Sequence, residues 1–209
     1  MSNKGYNQLI DDLIRSGYLK TPRIISAFRK FERKYFVPAS MSSFANVNKP
    51  LPLGSAQTIS QPLTVAFMLE LLQPAKGNRV LEIGGGSGWQ TAILSDIVGK
   101  NGKIYSYEIV RSLTEFGKHN LGKFQLENVV FEHRDVSLGY PEEAPYNKII
   151  SGAAFEEIPQ ELKEQLEISG TLVAPTKADD VRRIRRTAET EFKEEIYPGF
   201  AFVPIRQQL

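Results

Sequence analysis

The chain has 209 residues, among them 26 basic and 24 acidic side chains, and it contains no cysteine. This length suits one domain with a sizeable core, and the balanced charge gives no argument for binding nucleic acid. The lack of cysteine excludes a disulfide framework and a thiolate nucleophile, and no apolar run approaches the ~20 residues of a membrane span or resembles the core of a signal peptide, so we expect a cytoplasmic protein with no membrane partner.

The N-terminal part of the chain predicts helices and a long loop. Apolar residues at helical spacing from Leu9 to Ile14 predict a first helix that ends near Gly17. Thr21-Pro22 predicts the start of a second helix, with threonine as N-cap and proline at the first helical position. The stretch from Val37 to Ser60 is rich in Pro, Ser, Asn and Gly, and we predict a long loop there. Loops of that length in a compact domain are usually functional or disordered.

The remainder of the chain predicts an α/β domain. We predict a third helix over Gln61 to Gln73, with Ser60 or Gln61 as its N-cap. Strands and helices then alternate, which is typical of a doubly wound sheet. The predicted strands are Arg79 to Gly84, Lys103 to Ile109, Val129 to Asp135, Tyr146 to Ala153 and Gly170 to Thr176, with helices after the first strand, at Arg111 to Lys123 and at Pro159 to Leu166, and a closing antiparallel pair within Phe192 to Ile205.

The segment from Arg79 to Trp89, RVLEIGGGSGW, predicts a buried strand, a glycine-rich turn and the start of a helix. Its glycines at 84, 86 and 88 let the backbone turn sharply and approach a ligand closely. A dinucleotide fingerprint, G-x-G-x-x-G, would need glycine where this chain has Trp89. The spacing G-x-G-x-G instead resembles motif I of S-adenosylmethionine-dependent methyltransferases. The alternative is a tight strand–helix turn that binds nothing.

Three acids lie in or near the predicted strands. Ligands of doubly wound sheets bind at the carboxyl ends of the strands, where Glu108 could accept hydrogen bonds from both hydroxyls of a ribose and Asp135 could hold an adenine amino group. Either acid could instead be a solvated strand-end residue. Glu82 lies inside an apolar strand and therefore needs partners, which the amides of the glycine turn or the ammonium group of a ligand could supply.

The sequence offers few groups for nucleophilic or metal-assisted chemistry. Its two histidines, His119 and His133, fall on a predicted helix and strand, and we find no cluster typical of a metal site. An amine or hydroxyl acceptor would usually need a general base, whereas a carboxylate is already ionised at neutral pH and has mainly to be oriented. The basic run from Arg182 to Arg186 alternates like a solvated strand face; the alternative is a site for an anionic partner.

Five stretches of the chain resemble protein-L-isoaspartate O-methyltransferases. They are spread over nearly the whole chain and are AFRKFERKYFVP (Ala27 to Pro38), PLPLGSAQTISQPLTVAFMLELL (Pro50 to Leu72), VLEIGGGSGWQTAILS (Val80 to Ser95), YPEEAPYNKIISGAAFEEIP (Tyr140 to Pro159) and FVPI (Phe202 to Ile205). The glycine loop alone indicates only the superfamily, whereas QTISQP, from Gln57 to Pro62, is specific to this family.

The resemblance implies a repair enzyme that uses S-adenosylmethionine to methylate the α-carboxyl of L-isoaspartyl residues in damaged proteins and peptides. It implies a doubly wound, Rossmann-like methyltransferase fold with a seven-stranded, mostly parallel sheet, an antiparallel C-terminal strand pair and N-terminal helices. We predict a single domain, in which residues 1–78 form the N-terminal helices and substrate loop and residues 79–209 form the cofactor-binding core. We also expect a monomer with no nucleic-acid partner.

The resemblance also implies the site residues. Ser60 falls on the serine thought to be catalytic in the family, and its other possible role is the N-cap of the third helix. We predict no metal ligand. The residues that we predict to bind S-adenosylmethionine, or the S-adenosylhomocysteine product, are Thr58, Ile59, Glu82, Gly84, Gly85, Gly86, Ser87, Glu108, Ile109, Asp135 and Val136.

The chain departs from the family pattern at several positions. Gly85 stands where the family usually has Thr or Ser, Trp89 where it has Tyr, and Val136 where it has Gly. Asn46 replaces an expected tyrosine, and Thr176-Lys177 replaces a Val-Gly pair. These positions belong to the substrate-facing loops and the adenine pocket, which leaves two alternatives open: a member of the family retuned to another carboxylate or small molecule, and a cofactor-binding protein without turnover.

Overall fold

The computed structural model describes residues 4–206, which form a seven-stranded sheet with helices packed against it. In this part of the chain the α-helices are α1 (Lys4–Arg15), α2 (Pro22–Lys30), α3 (Pro62–Leu72), α4 (Trp89–Val98), α5 (Arg111–Leu121) and α6 (Gln160–Glu164). The strands are β1 (Leu51–Gly54), β2 (Gln57–Ile59), β3 (Arg79–Ile83), β4 (Lys103–Glu108), β5 (Val129–His133), β6 (Tyr146–Ser151), β7 (Leu166–Thr176), β8 (Asp180–Arg186) and β9 (Phe192–Pro198).

The order of strands in the main sheet is β5-β4-β3-β6-β7-β8-β9. The ladders from β5 to β7 are parallel, and those of β8 with β7 and with β9 are antiparallel. The chain winds outward from β3 to β5 and then returns to place β6 on the other side of β3. The strand order therefore reverses between β3 and β6, and ligands of such sheets bind outside the carboxyl ends of the strands at this point.

The sheet topology confirms the predicted fold class. The mostly parallel sheet, the N-terminal helices and the antiparallel strands at the C-terminal end are all present. The predicted closing pair was misplaced, because β9 pairs with β8 at Asp180–Arg186 rather than with residues inside Phe192 to Ile205.

Alternate residues of the central strands enter two apolar clusters on opposite faces of the sheet, as the two-residue period of a strand requires. Val80 of β3 belongs to the cluster that contains residues of α1 to α4. Its neighbour Leu81 belongs to the cluster on the opposite face of the sheet, which contains Leu162 of α6. Both side chains are fully buried. Burial on both faces explains why these strands have nearly continuous apolar sequences.

The segment from Val37 to Ser60 contains more regular structure than the sequence predicts. Ala39–Phe44 forms a 3-10 helix, and β1 and β2 pair as a short antiparallel hairpin in which Leu51 lies opposite Ile59. The turn of the hairpin contains Gly54 and two non-glycine residues with positive φ angles, Ser55 and Ala56. Proline in a strand argues against pairing, and Pro52 lies in β1, so the sequence rules favoured a loop.

The starts of α2 and α3 lie at the predicted positions, but neither N-cap residue caps its helix with a side-chain hydrogen bond. Thr21 is the N-cap residue of α2, but its hydroxyl donates to Glu70 Oε2 at 2.6 Å instead of capping the helix. The N-cap residue of α3 is Gln61, and its side chain makes no capping bond. Asn48 Oδ1 accepts the N–H of Leu63 in the first turn at 3.0 Å. Of the two predicted N-cap residues, Gln61 is therefore confirmed by position and Ser60 is wrong.

Candidate active site

Three adjoining clefts lie at the carboxyl edge of the sheet, where the strand order reverses. The first holds about 610 Å³ of empty space and is lined by the ends of β3 and β4 and by residues that follow β5. The second, of about 400 Å³, lies at the glycine turn and the start of α4. The third, of about 920 Å³, is a groove between the start of α3 and residues 201–204. Thr58 and Gly152 line all three, so the clefts meet at these residues.

The structure brings every residue of the predicted cofactor set to the first or second cleft. The first is lined by Thr58, Gly84, Gly86, Glu108, Ile109, Asp135 and Val136. The second is lined by Thr58, Ile59, Glu82, Gly84, Gly85, Gly86 and Ser87. Ser60 lines the second and third clefts, at the point where the site passes from one to the other. The cofactor contacts of these residues stay a prediction.

The glycine turn is anchored to the neighbouring strand and leaves no side chain in the first cleft. The N–H groups of Gly84 and Gly85 both donate to the carbonyl of Tyr107, at 2.8 and 3.1 Å. Gly84 and Gly86 have φ angles of +77° and +53°, which glycine adopts without the cost that a Cβ would impose. The turn leads into α4, whose N-terminal dipole favours a negatively charged group nearby.

Gly85 is required by close packing. A Cβ at this position would lie 2.3 Å from Ser106 Oγ and 2.5 Å from the ring of Phe131. Both neighbours point into the space that a serine or threonine side chain would need. The ring of Phe131 on β5 therefore occupies the space of the Thr or Ser side chain that the family usually has at position 85.

Glu108 holds the glycine turn as well as facing the first cleft. Its Oε2 accepts the N–H of Gly86 at 2.9 Å, and its Oε1 accepts the N–H of Val110 at 2.8 Å. The residue is 5% exposed. Since each carboxylate oxygen has two lone pairs, each keeps the capacity to accept one further hydrogen bond.

Asp135 and Val136 form the far wall of the first cleft. Asp135 Oδ1 accepts the N–H of Ser137 at 2.9 Å, which turns the chain just after β5. Val136 is buried beside it. Arg134 also lines the cleft, and its guanidinium lies 4.8 Å from the ring centre of Tyr140. This wall thus combines a carboxylate with an apolar side chain.

Glu82 is fully buried and obtains its partners from α4. Thr91 Oγ1 donates to Oε2 at 2.5 Å, and Gln90 Nε2 donates to Oε1 at 2.9 Å. The expected partners, amides of the glycine turn or the ammonium group of a ligand, are therefore not needed to satisfy this carboxyl group. Burial raises the pKa of Glu82 above the usual range of a glutamate, because the charged form loses its hydration.

This raised pKa leads to a pH-dependent stability that Glu82→Gln should remove. Because the folded protein binds the proton more tightly than the unfolded chain, the free energy of unfolding falls as pH rises above the ordinary glutamate range. The slope reaches about 1.4 kcal/mol per pH unit for one proton. Urea unfolding of wild type and Glu82→Gln is measured from about pH 4 upward. The free energy of unfolding of wild type should fall, relative to that of Glu82→Gln, as pH rises. The exposed Glu132 provides a control, Glu132→Gln, which should follow the wild type; parallel curves for wild type and Glu82→Gln would contradict this prediction.

Several cleft residues were not predicted from the sequence. Gly152 and Ala153 follow β6, and the position of β6 beside the strand reversal was the signal that could have identified them. Residues 203–206 also line the first cleft. They are held there by backbone hydrogen bonds of Ala154 with Val203 and Ile205, both at 2.8 Å. No local pattern predicts that contact.

The remaining predicted features lie away from the clefts. His119 is exposed on α5, and His133 ends β5 with Nε2 2.9 Å from the carbonyl of Ile109. Three arginines of β8, at positions 182, 183 and 185, pair with Glu194 and Glu195 of β9, which supports a strand face for the basic run. Within residues 4–206 no group of three His, Cys, Asp or Glu side chains could hold a metal ion. No helix in the same range is long and apolar enough to cross a membrane.

The sheet order, the glycine turn and the clefts at the strand reversal define a Rossmann-like methyltransferase fold. A solved structure of a protein-L-isoaspartate O-methyltransferase matches it with a TM-score of 0.87 and 26% sequence identity, over 97% of this chain and 66% of that one. A crystal structure from Plasmodium falciparum in complex with S-adenosyl-L-homocysteine shares the fold, with a TM-score of 0.84 and 20% identity over 97% of this chain and 99% of that one.

The sequence comparisons narrow the class to one family. The family model described as Protein-L-isoaspartate(D-aspartate) O-methyltransferase (PCMT) matches residues 3–209. The protein-L-isoaspartate O-methyltransferase of Ignicoccus hospitalis is 36% identical over 205 residues, which cover 96% of this chain and 97% of that protein. The chain belongs to the protein-L-isoaspartate(D-aspartate) O-methyltransferase family.

Proposed function

We propose that this protein transfers a methyl group from S-adenosylmethionine to the α-carboxyl of L-isoaspartyl residues in damaged proteins and peptides. The observation that carries the proposal is the position of Ser60. The family-specific segment QTISQP places this serine between the cleft of the glycine turn and the open groove beside α3. One side of Ser60 can thus face a cofactor and the other a peptide.

The first cleft fits the proposed cofactor. Its lining combines apolar side chains with a few charged and polar groups, which is typical of small-molecule sites. The remaining lone pairs of Glu108 suit the two hydroxyls of a ribose. Asp135 lines the same cleft beside the buried side chain of Val136, and we assign it to the adenine amino group. When bound, S-adenosylmethionine supplies a methyl group on a positively charged sulfur. We propose that the eleven predicted residues, which line the first and second clefts together, form its binding site.

The third cleft fits an acceptor held by its backbone. It is an open groove lined by Pro50, Gln61 and residues 201–204, with Ser60 at its inner end. As a neutral donor, the hydroxyl of Ser60 can hold the substrate carboxylate without prior activation. Since this acceptor is ionised at neutral pH, the residues of the groove have mainly to orient it. Location in the cytoplasm, action as a monomer and the absence of nucleic-acid and membrane partners stay predictions from the sequence.

The proposal is tested with a pair of peptides that differ only in the linkage of one residue, isoaspartyl or aspartyl. With S-adenosylmethionine, mass spectrometry should show one added methyl group on the isoaspartyl peptide alone. An isoaspartyl peptide whose α-carboxyl is replaced by a carboxamide should stay unmodified, because it lacks the acceptor oxygen. Methylation of the aspartyl peptide or of an unrelated carboxylate instead would indicate a retuned enzyme. Binding of S-adenosylhomocysteine without methylation of either peptide would indicate a protein without turnover.

A further inference from the structure

Arg33 is a fully buried charge in the short 3-10 helix Arg33–Phe36. Within residues 4–206 it forms no ion pair with a carboxylate. Burial lowers the pKa of Arg33 to about 10, which still leaves the guanidinium charged at neutral pH. An unpaired buried charge is costly unless it is hydrogen-bonded, so its partners indicate what this residue does.

The partners of Arg33 are five backbone carbonyls that converge on one guanidinium. Nη1 donates to the carbonyls of Ala45 and Val47, at 3.4 and 3.2 Å. Nη2 donates to the carbonyls of Lys49, Ile59 and Ser60, at 2.9, 3.3 and 3.0 Å. The first three carbonyls precede the β1–β2 hairpin, and the last two belong to its final residue, Ile59, and to the next residue, Ser60. One side chain therefore ties together the two ends of the segment that carries the hairpin and ends at Ser60.

The guanidinium also connects this segment to the glycine-turn side of the site. It lies 5.6 Å from the ring centre of Trp89, the first residue of α4, which lines the second cleft. Trp89 is itself fixed by a hydrogen bond of 2.9 Å from Nε1 to the carbonyl of Phe31. Arg33 thus contacts both ends of the hairpin, the carbonyl of Ser60 and the ring of Trp89, and it fixes the distances between them.

We propose that Arg33 is a positioning residue for the acceptor site, because it holds Ser60 in register with the cofactor cleft through the carbonyls at both ends of the hairpin. Five carbonyl dipoles that point toward one another repel unless a cation lies between them. A neutral side chain cannot supply that charge, and a lysine supplies it at one point without the planar fork of donors. The assignment of Ser60 to the acceptor rests on the proposed function.

The test compares wild type, Arg33→Ala, Arg33→Lys and the control Arg29→Ala, which removes an exposed arginine of α2 that pairs with Asp11. Turnover is measured with isoaspartyl peptide and S-adenosylmethionine both saturating. We expect Arg33→Ala and Arg33→Lys to lose turnover by at least about tenfold, since small displacements of a reacting group are that costly, and Arg29→Ala to match wild type.

Ethylguanidinium should restore turnover to Arg33→Ala in a saturable way, and ethylammonium, which has the charge without the fork, should not. Turnover of Arg33→Ala within twofold of wild type, or a loss that ethylguanidinium fails to restore, would overturn the proposal.

A second measurement covers the case in which Arg33→Ala does not fold. Thermal unfolding followed by far-ultraviolet circular dichroism shows whether each variant is folded, because this signal does not depend on the Trp89 ring that Arg33 itself contacts. If Arg33→Ala lacks the folded signal, Arg33→Lys decides the outcome. In Arg33→Lys, amide hydrogen exchange should be faster across residues 45–60 and unchanged in β3 and β4, and turnover should fall. Unchanged exchange across residues 45–60, or full turnover, would overturn the proposal. If wild type itself fails to methylate the peptide, the proposed function fails, while the exchange comparison still decides whether Arg33 positions Ser60.

Discussion

Glu108→Ala is expected to lower the affinity for S-adenosylmethionine and S-adenosylhomocysteine by at least about tenfold. The variant loses the acceptor that we propose for two ribose hydroxyls, and hydrogen bonds to a charged group contribute about 1.5–3 kcal/mol each. It also releases the N–H groups of Gly86 and Val110, which the carboxylate now holds at 2.9 and 2.8 Å. The glycine turn should therefore become less well placed for the cofactor.

Isothermal titration calorimetry of wild type and Glu108→Ala with both ligands tests this expectation. Glu132→Ala is the matched control, because Glu132 is an exposed acid on the neighbouring strand β5 and does not line the first cleft. It should bind like wild type, and NAD should bind to none of the three proteins. Thermal unfolding shows whether a weakened variant is still folded. Equal affinities for wild type and a folded Glu108→Ala would remove Glu108 from the cofactor site.

Ser60→Ala is expected to lower turnover on an isoaspartyl peptide by about tenfold or more, with cofactor affinity and stability largely kept. One lost hydrogen bond to the substrate carboxylate, at about 1.5–3 kcal/mol, accounts for that factor. A capping serine would instead cost about 1 kcal/mol of stability. The structure rules out that role, because Gln61 is the N-cap residue of α3 and Asn48 holds the first turn.

The experiment measures kcat at saturating peptide and cofactor, together with the midpoint of thermal unfolding. Ser60→Thr keeps the hydroxyl and should keep most of the turnover. Ser43→Ala removes an exposed hydroxyl from the same long segment and should change neither quantity. Equal kcat for wild type and Ser60→Ala would exclude a role of this hydroxyl in turnover, and a large loss of stability in Ser60→Ala would point to a structural role.

The hairpin bears on how a peptide could enter the groove. Pro52 lies opposite Thr58 within the hairpin, so one edge of β1 is already paired and is closed to a substrate backbone. The tip of the hairpin contacts α5 through the hydroxyls of Ser55 and Ser112, 3.2 Å apart. In the described structure residues 51–59 thus pair with one another.

Local patterns were sufficient for the α/β class and for part of the residues that line the clefts, whereas the seven-stranded sheet and the other predicted site residues were implied by the family resemblance. The two-residue and helical periods of apolar residues depend on neighbours in sequence, so the alternation of strands and helices past Arg79 could be read directly. The glycine turn was equally clear, because its backbone angles exclude most other residues. Glu108 and Asp135 were identified because the carboxyl ends of parallel strands meet at one edge of the sheet. Ser60 was identified from the resemblance of QTISQP to the family, and its catalytic role stays a prediction.

Only the tertiary structure decided the features that depend on partners far away in sequence. Nothing near Arg33 in the sequence indicates that its charge is buried against five carbonyls of residues 45–60. Glu82 was read as a group in need of a ligand, whereas the fold satisfies it with Thr91 and Gln90. Arg206 reaches the hairpin at Ser55, 151 residues earlier in the chain. Burial and long-range hydrogen bonding arise only when the packed sheet brings such groups together, so no local pattern contains them.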